Sequence, residues 1–206
     1  MSKLATATLR ADPVMARVID RVGPLRLRPR RLQPFQSIVH AIIHQQLSGK
    51  AAKTILARFQ HLFGNGRFPS ASAVASIDGI SLRAAGLSRA KAAYIKELAQ
   101  RVLAGKVPSL GACSRFTDDE LVEQLTAIKG VGRWTVEMLL IFNLGRPDVL
   151  PVNDLGVRKG FQIAYKRRKL PEPDQLESFG DRWRPHRTTA ALYLWRAADF
   201  RKDGEW

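Results

Sequence analysis

Apolar residues recur at three- and four-residue intervals along nearly the whole chain, the spacing that gathers them on one face of an α-helix. Phe35, Ile38, Val39, Ile42 and Ile43 show the rhythm. It returns in "SRAKAAYIKELAQRVLAG" (88–105), "DLGVRKGFQIAYK" (154–166) and "RTTAALYLWRAADF" (187–200). Strand-type alternation never persists beyond roughly four residues, so the expected class is all-α. Punctuation agrees. Asp12 ahead of Pro13 is a helix opening, and Gly23 a plausible end. Thr117 and Glu120 form a capping box ahead of "LVEQLTAI". The apolar run from Pro34 to Gly64 reads as two helices broken near Gln46–Gly49. "SAVASI" and "SLRAAG" read as short helices. "PLRLRPRR", "RPDVLPV" and "RRKLPEPD" read as a linker and two loops.

One interruption stands apart. "TAIKGVGRWTVEMLLIF" (126–142) is a helical pattern broken by Lys129-Gly130-Val131-Gly132-Arg133. Two helices joined by Gly-Val-Gly make a tight hairpin, because glycine tolerates positive φ and lets another backbone come close. The second helix would then begin with outward-pointing amides, an anion site. Lys129 and Arg133 add charge, and Thr135 adds a hydroxyl in the same first turn. Together these suit one phosphate of a nucleic-acid backbone, a contact that positions a protein without reading sequence. The plainer reading is an ordinary helical hairpin with a glycine turn.

Charge changes that balance. The 206 residues carry 34 Lys and Arg against 18 Asp and Glu, a net charge of +16, which makes a large polyanion the leading partner. Residues 1–34 hold eight Lys or Arg against two Asp, and residues 158–187 hold nine against four acids. Charge alone would also admit RNA, anionic lipid or an acidic protein. With 45% apolar residues the chain can bury a core as one large domain or two small lobes. Cys113 is the single cysteine, which excludes a disulfide framework within the chain and a cysteine-ligated zinc or iron–sulfur site. The N-terminus shows no secretory signal, and no run approaches the roughly 18 apolar residues of a membrane span.

"LTAIKGVGRWTVEMLLIF" resembles the helix-hairpin-helix of the DNA glycosylase superfamily that carries a Gly/Pro-rich loop and an aspartate just beyond it. "LPVNDLGVRKGF" follows at the matching distance, with Asp154 in the aspartate position. "IIHQQLSGKAA" (42–52) and "GLSRAKAAYIKELA" (86–99) are similar to segments of its 3-methyladenine DNA glycosylase II branch, and the resemblance covers roughly residues 35–200. It implies two helical lobes with a cleft between them and the hairpin at its mouth. One lobe would run over 36–148, with the hairpin at about 118–144; residues 1–35 and 149–206 would form the other. It implies the compact form, without the extra N-terminal domain of some bacterial relatives.

The resemblance also assigns residues. Asp154 would place a carboxylate near C1′ and stabilise the oxocarbenium-like sugar formed as the N-glycosidic bond breaks. Read by itself, an Asp that opens a helix is a cap, and the helix N-terminus favours its charged form. Trp195 matches the family position that stacks in the base pocket, and Trp134 a tryptophan beside it. For both, core packing is the plainer reading. Met138 and Phe142 follow on Trp134's helix face as core or pocket wall. Gln46 or Leu47 would fill the gap left by a flipped base. His44 reads as a core histidine. Bifunctional relatives carry a nucleophilic lysine immediately after the arginine of the turn; Trp134 occupies that position, so no lyase step is expected. The family's monovalent cation site would fall on the carbonyls of Thr126, Ile128 and Val131, holding a structural Na+ or K+, with no cofactor required for catalysis.

The resemblance therefore implies a monofunctional DNA glycosylase of base excision repair. It would act as an intracellular monomer on double-stranded DNA containing alkylated bases, in the cytoplasm or nucleoid if bacterial, with no membrane partner. Substrates of the 3-methyladenine and 7-methylguanine type are expected, because alkylation makes the base cationic and a better leaving group. The alternative is a non-catalytic DNA-binding or damage-sensing protein built on the same hairpin.

Overall fold

The structure, a computed structural model, describes residues 3–64 and 66–199. Every helix or strand assigned among them is helical. In chain order these are α1 (Lys3–Leu9), α2 (Pro13–Val22), α3 (Pro34–His44), α4 (Gly49–His61), α5 (Ala71–Ser76), α6 (Gly79–Ala84), α7 (Arg89–Leu103), α8 (Asp118–Thr126), α9 (Arg133–Met138), α10 (Leu155–Ala164), α11 (Pro173–Gly180) and α12 (Arg187–Ala197). Short 3-10 turns occupy Ala112–Arg115 and Asp181–Trp183. No helix is long and apolar enough to cross a membrane among the described residues.

The chain divides into two compact units. One contains Arg30–Leu139; the other joins the residues up to Pro29 to those from Leu140 on. Both crossings lie ahead of residues 36 and 149, where the resemblance would put them. The second crossing has no loop to mark it. The helix that begins as α9 continues past Met138 and widens into a π-helical turn over Leu139–Leu144. A wider turn keeps the apolar rhythm while changing which face each side chain takes, so periodicity shows only an unbroken helix.

Local signals account for the ends. Asp12 Oδ1 accepts from Val14 N at 2.9 Å and opens α2. The capping box at α8 is complete, with Thr117 N donating to Glu120 Oε2 at 2.7 Å and Glu120 N to Thr117 Oγ1 at 3.2 Å. The break between α3 and α4 falls at Gln45–Ser48, and Ser48 Oγ caps α4 through Ala51 N. α1 packs through an i, i+4 pair, Ala5 and Leu9, both buried.

In the unit Arg30–Leu139, α3 is central and packs on α4, α7 and α9. Ile38, Val39, Ile42 and Ile43 are wholly buried there. His40 lies on the same helix against Phe68, with ring centroids 5.5 Å apart. Burial, and then the charges of Arg30 and His44, push its pKa down to about 4. Between the ordinary value near 6.5 and that value, the unfolded chain takes up a proton that the folded chain refuses, so stability falls as pH drops through this window. His40→Phe keeps an aromatic ring and removes the titration. Urea unfolding at pH 7.5 and 5 should show a wild-type loss of about 1–2 kcal/mol, allowing for the ring's partial exposure, and a flatter profile for the variant.

In the other unit α12 packs against α10, α2 and α1. Its core holds Met15, Val18, Val157, Leu176, Tyr193 and Leu194. An aromatic cluster closes one end: Phe161 stacks on Tyr165 at 4.4 Å, and Phe179 and Trp183 meet both rings edge-on or tilted. The Tyr165 hydroxyl donates to Asp12 Oδ2 at 2.5 Å, joining the α2 cap to this cluster.

Candidate functional site

The glycine turn 129–132 joins α8 to α9, and these two helices pack on each other. Gly130 has φ +83°, a conformation L side chains rarely adopt, and a Cβ there would meet the Tyr94 ring at 2.2 Å. The turn is therefore pressed onto α7, and only glycine fits. Gly132 differs. Its φ is −86°, and a Cβ would meet nothing within 4 Å. Among the described residues nothing in the packing requires a glycine at that position. Lys129 and Arg133 are exposed on either side, and Glu137 Oε1 accepts from Arg133 Nε at 3.1 Å one turn along. Val131 and Ile128 are buried, and Val131 N donates to the Ile128 carbonyl at 3.0 Å.

Thr135 corrects the sequence reading. Its side chain is 1% exposed and its hydroxyl accepts from Gln45 Nε2 at 3.1 Å, so it faces the interior of its unit and offers no surface contact to a phosphate. The helix phase set by Gly132 as N-cap turns position 135 inward. Trp134 and Met138, one turn apart on α9, are both half-buried.

The break between α3 and α4 carries Gln46 and Leu47, both exposed. Gln46 has φ +56° without being glycine, an uncommon conformation for such a residue. Just before it, the Gln45 amide donates to the Gly130 carbonyl at 3.3 Å as well as to Thr135. Lys91 Nζ donates to the carbonyls of Ile43 and Gln45 at 2.9 and 2.7 Å. Burial lowers the Lys91 pKa. Gln45 and Lys91 both lie in the segments that carry the resemblance, but no local pattern in the sequence marks either for a role.

In the other unit, Asp154 and Trp195 come together. Asp154 Oδ1 caps α10 through Val157 N at 2.9 Å and accepts from Trp195 Nε1 at 2.8 Å. The indole ring packs on Phe142 with centroids 5.5 Å apart. The carboxylate that caps α10 is thus also the one the Trp195 indole meets, so capping does not exclude the other reading of Asp154. Two glycines on α10 allow the approach. A Cβ on Gly160 would lie 1.8 Å from the Leu194 carbonyl oxygen, and one on Gly156 would lie 2.8 Å from the Trp195 ring. With their bare faces against α12, the two helices meet backbone to backbone and the indole reaches the carboxylate.

The loop before Asp154 is also fixed. Arg187 meets Asp148 through two nitrogens, Nε–Oδ1 at 2.9 Å and Nη2–Oδ2 at 3.1 Å, and Arg184 Nη1 reaches Oδ2 at 2.9 Å. Thr188 Oγ1 donates to the Arg146 carbonyl at 2.7 Å and accepts from Val149 N at 3.0 Å. Forked Arg–carboxylate contacts of this kind add direction as well as energy. This clamp was not read from the sequence, because nothing local links residue 148 to residue 187.

A helical hairpin with a cationic glycine turn, followed in the chain by a capped aspartate, defines a class of DNA-repair protein. The profile of the HhH-GPD superfamily of base excision DNA repair proteins matches residues 39–185, and the chain belongs to that superfamily. It is 38% identical over 198 residues to DNA-3-methyladenine glycosylase 1 of Schizosaccharomyces pombe, covering 93% of this chain and 86% of that one. The solved structure of the 3-methyladenine DNA glycosylase of Schizosaccharomyces pombe in complex with abasic DNA superposes with a TM-score of 0.88 at 37% identity, over 94% of this chain and 96% of that chain. A DNA-3-methyladenine glycosidase from Bacillus halodurans superposes with a TM-score of 0.84 at 34% identity, over 98% and 92% of the two chains.

Proposed function

We propose that this chain is a monofunctional DNA glycosylase acting within the cell on duplex DNA, as a monomer, and that it hydrolyses the N-glycosidic bond of alkylated purines of the 3-methyladenine and 7-methylguanine type. The observation that carries this reading is the Asp154 carboxylate, oriented by Val157 N and the Trp195 indole in a chain of this superfamily. The turn at Lys129, Gly130, Val131, Gly132 and Arg133 holds a backbone phosphate. Gln46 or Leu47 enters the gap left when the damaged base leaves the stack, a step costing a few kcal/mol. Trp195 offers an aromatic wall to an electron-poor base, and the roles that the resemblance gives Trp134 and Met138 as further walls belong to the same proposal. As the bond breaks, Asp154 stabilises the developing charge on the sugar and orients the water that completes hydrolysis. The positive charge of the alkylated base makes a dedicated acid unnecessary. With Trp134 following the arginine of the turn, the product is an abasic site and the strand stays whole.

A structural Na+ or K+ at the turn belongs to the same proposal. Its ligands would be the carbonyls of Thr126, Ile128 and Val131, uncharged hard oxygens that suit such an ion. The Ile128 carbonyl accepts one hydrogen bond, from Val131 N, and a carbonyl oxygen has a second lone pair. The ion would stiffen the turn; the chemistry stays with Asp154.

The test is chromatographic detection of free methylated base released from alkylated duplex DNA over a panel of lesions. Salt-dependent binding with no base released from any lesion would replace this reading with a non-catalytic DNA-binding one. Borohydride trapping of a covalent protein–DNA adduct would contradict the absence of a lyase step. Trp195→Phe keeps a ring and removes the donor to Asp154. Hydrogen bonds to charged groups contribute about 1.5–3 kcal/mol, so single-turnover base release should slow about tenfold in that variant.

A further inference from the structure

We infer that Gln45 and Lys91 are positioning residues that tie the loop bearing Gln46 and Leu47 to the glycine turn, so that seating the turn on DNA sets the depth at which the loop enters the stack. The inference rests on the roles proposed above for the turn and the loop. It adds a mechanical link between them.

The link is made of side-chain contacts across long stretches of sequence. The Gln45 amide reaches the carbonyl of Gly130 and the hydroxyl of Thr135, 85 and 90 residues away. Thr135 is 1% exposed, so one end of this contact is buried in the unit. Lys91 holds the carbonyls of Ile43 and Gln45 from the other side. Tyr94, one turn further along α7, lies against Gly130, where a Cβ would meet its ring at 2.2 Å. One face of α7 therefore supports both the end of α3 and the glycine turn. Ser48 fixes the far end of the loop by capping α4.

An exposed loop between two helices is ordinarily among the more mobile parts of a domain. Here Gln46 and Leu47 are exposed on a backbone held on both sides, and Gln46 is kept in a left-handed conformation. A Lys at a helix C-terminus is a familiar cap, and capping would account for Lys91 alone. Capping does not account for the Gln45 amide, which donates to the Gly130 carbonyl of the turn proposed to hold the phosphate and to the Thr135 hydroxyl of α9. A wedge must enter the stack to a fixed depth, and an error near 1 Å in a reacting geometry costs about a hundredfold.

The experiment compares the full chain with Gln45→Leu and Lys91→Met. It reads three quantities: affinity for undamaged duplex, single-turnover release of methylated base, and the fluorescence of 2-aminopurine next to an abasic-site analogue, which reports entry of the loop. The link predicts undamaged-duplex affinity within about threefold of wild type, with loop entry and base release slowed about tenfold or more in both variants. If Gln45→Leu melts well below wild type, Gln45→Glu, which keeps the length and replaces the donor with an acceptor facing the Gly130 carbonyl, takes its place. Wild-type rates of loop entry in either variant overturn the inference, as does an equal loss of duplex affinity with unchanged base release. Failure of the underlying reading looks different, because the wild-type chain itself then releases no base.

Discussion

Asp154→Asn should give a folded protein that binds methylated duplex DNA and releases base at least about a hundredfold more slowly than wild type. Asparagine caps a helix about as well as aspartate. Its amide oxygen can still accept from Val157 N and Trp195 Nε1, so α10 and its contact with α12 keep their geometry. What disappears is the negative charge. If Asp154 acts mainly by holding that charge near the developing oxocarbenium ion, the loss falls on the chemical step and leaves binding nearly intact. Single-turnover release at saturating enzyme measures it, with thermal melting as the control for folding. Release at the wild-type rate would remove Asp154 from the mechanism and leave it as a helix cap.

The second large effect separates two glycines that the sequence alone treats alike. Gly130→Ala should damage the turn itself. The left-handed conformation at φ +83° costs a side chain about 1–2 kcal/mol, and the new Cβ falls on the Tyr94 ring. Melting temperature and DNA affinity should fall together. Gly132→Leu should act differently. Open space surrounds that position and its φ is ordinary, so stability should change by no more than about 0.5 kcal/mol. A leucine there would still stand between the backbone amides and the phosphate, and affinity for a labelled duplex at fixed salt should drop about tenfold. Gly132→Leu binding as tightly as wild type would place the phosphate elsewhere.

Much of this arrangement was legible in the sequence where short-range chemistry decides it. Asp12-Pro13, the Thr117–Glu120 box and the break ahead of Gly49 act within a few residues, and each stands where the pattern put it. The helical class and the superfamily were legible for the same reason, since the hairpin motif is contiguous. What escaped depends on direction or distance. Thr135 sits in the correct turn with its hydroxyl turned inward, because one residue of helix phase decides between surface and core. α1 escaped because a seven-residue helix anchored by Ala5 and Leu9 shows little periodicity. Gln45, Lys91 and the clamp of Arg184 and Arg187 on Asp148 act over tens of residues, where sequence order says nothing about contact. Gly156 and Gly160 were visible four apart on a helical pattern. Their purpose appears only with the Leu194 carbonyl and the Trp195 ring against them.

The left-handed backbone at Gln46 has a consequence for how this loop can change under selection. Glycine and asparagine take that conformation more readily than glutamine. A population of variants sorted only for resistance to heat would therefore drift toward those two residues at position 46. If Gln46, and not Leu47, is the residue that enters the stack, a population sorted for survival under an alkylating agent would be held there to side chains long enough to occupy the duplex. Divergence of the two populations at this single position would distinguish what the fold demands of residue 46 from what the DNA demands of it.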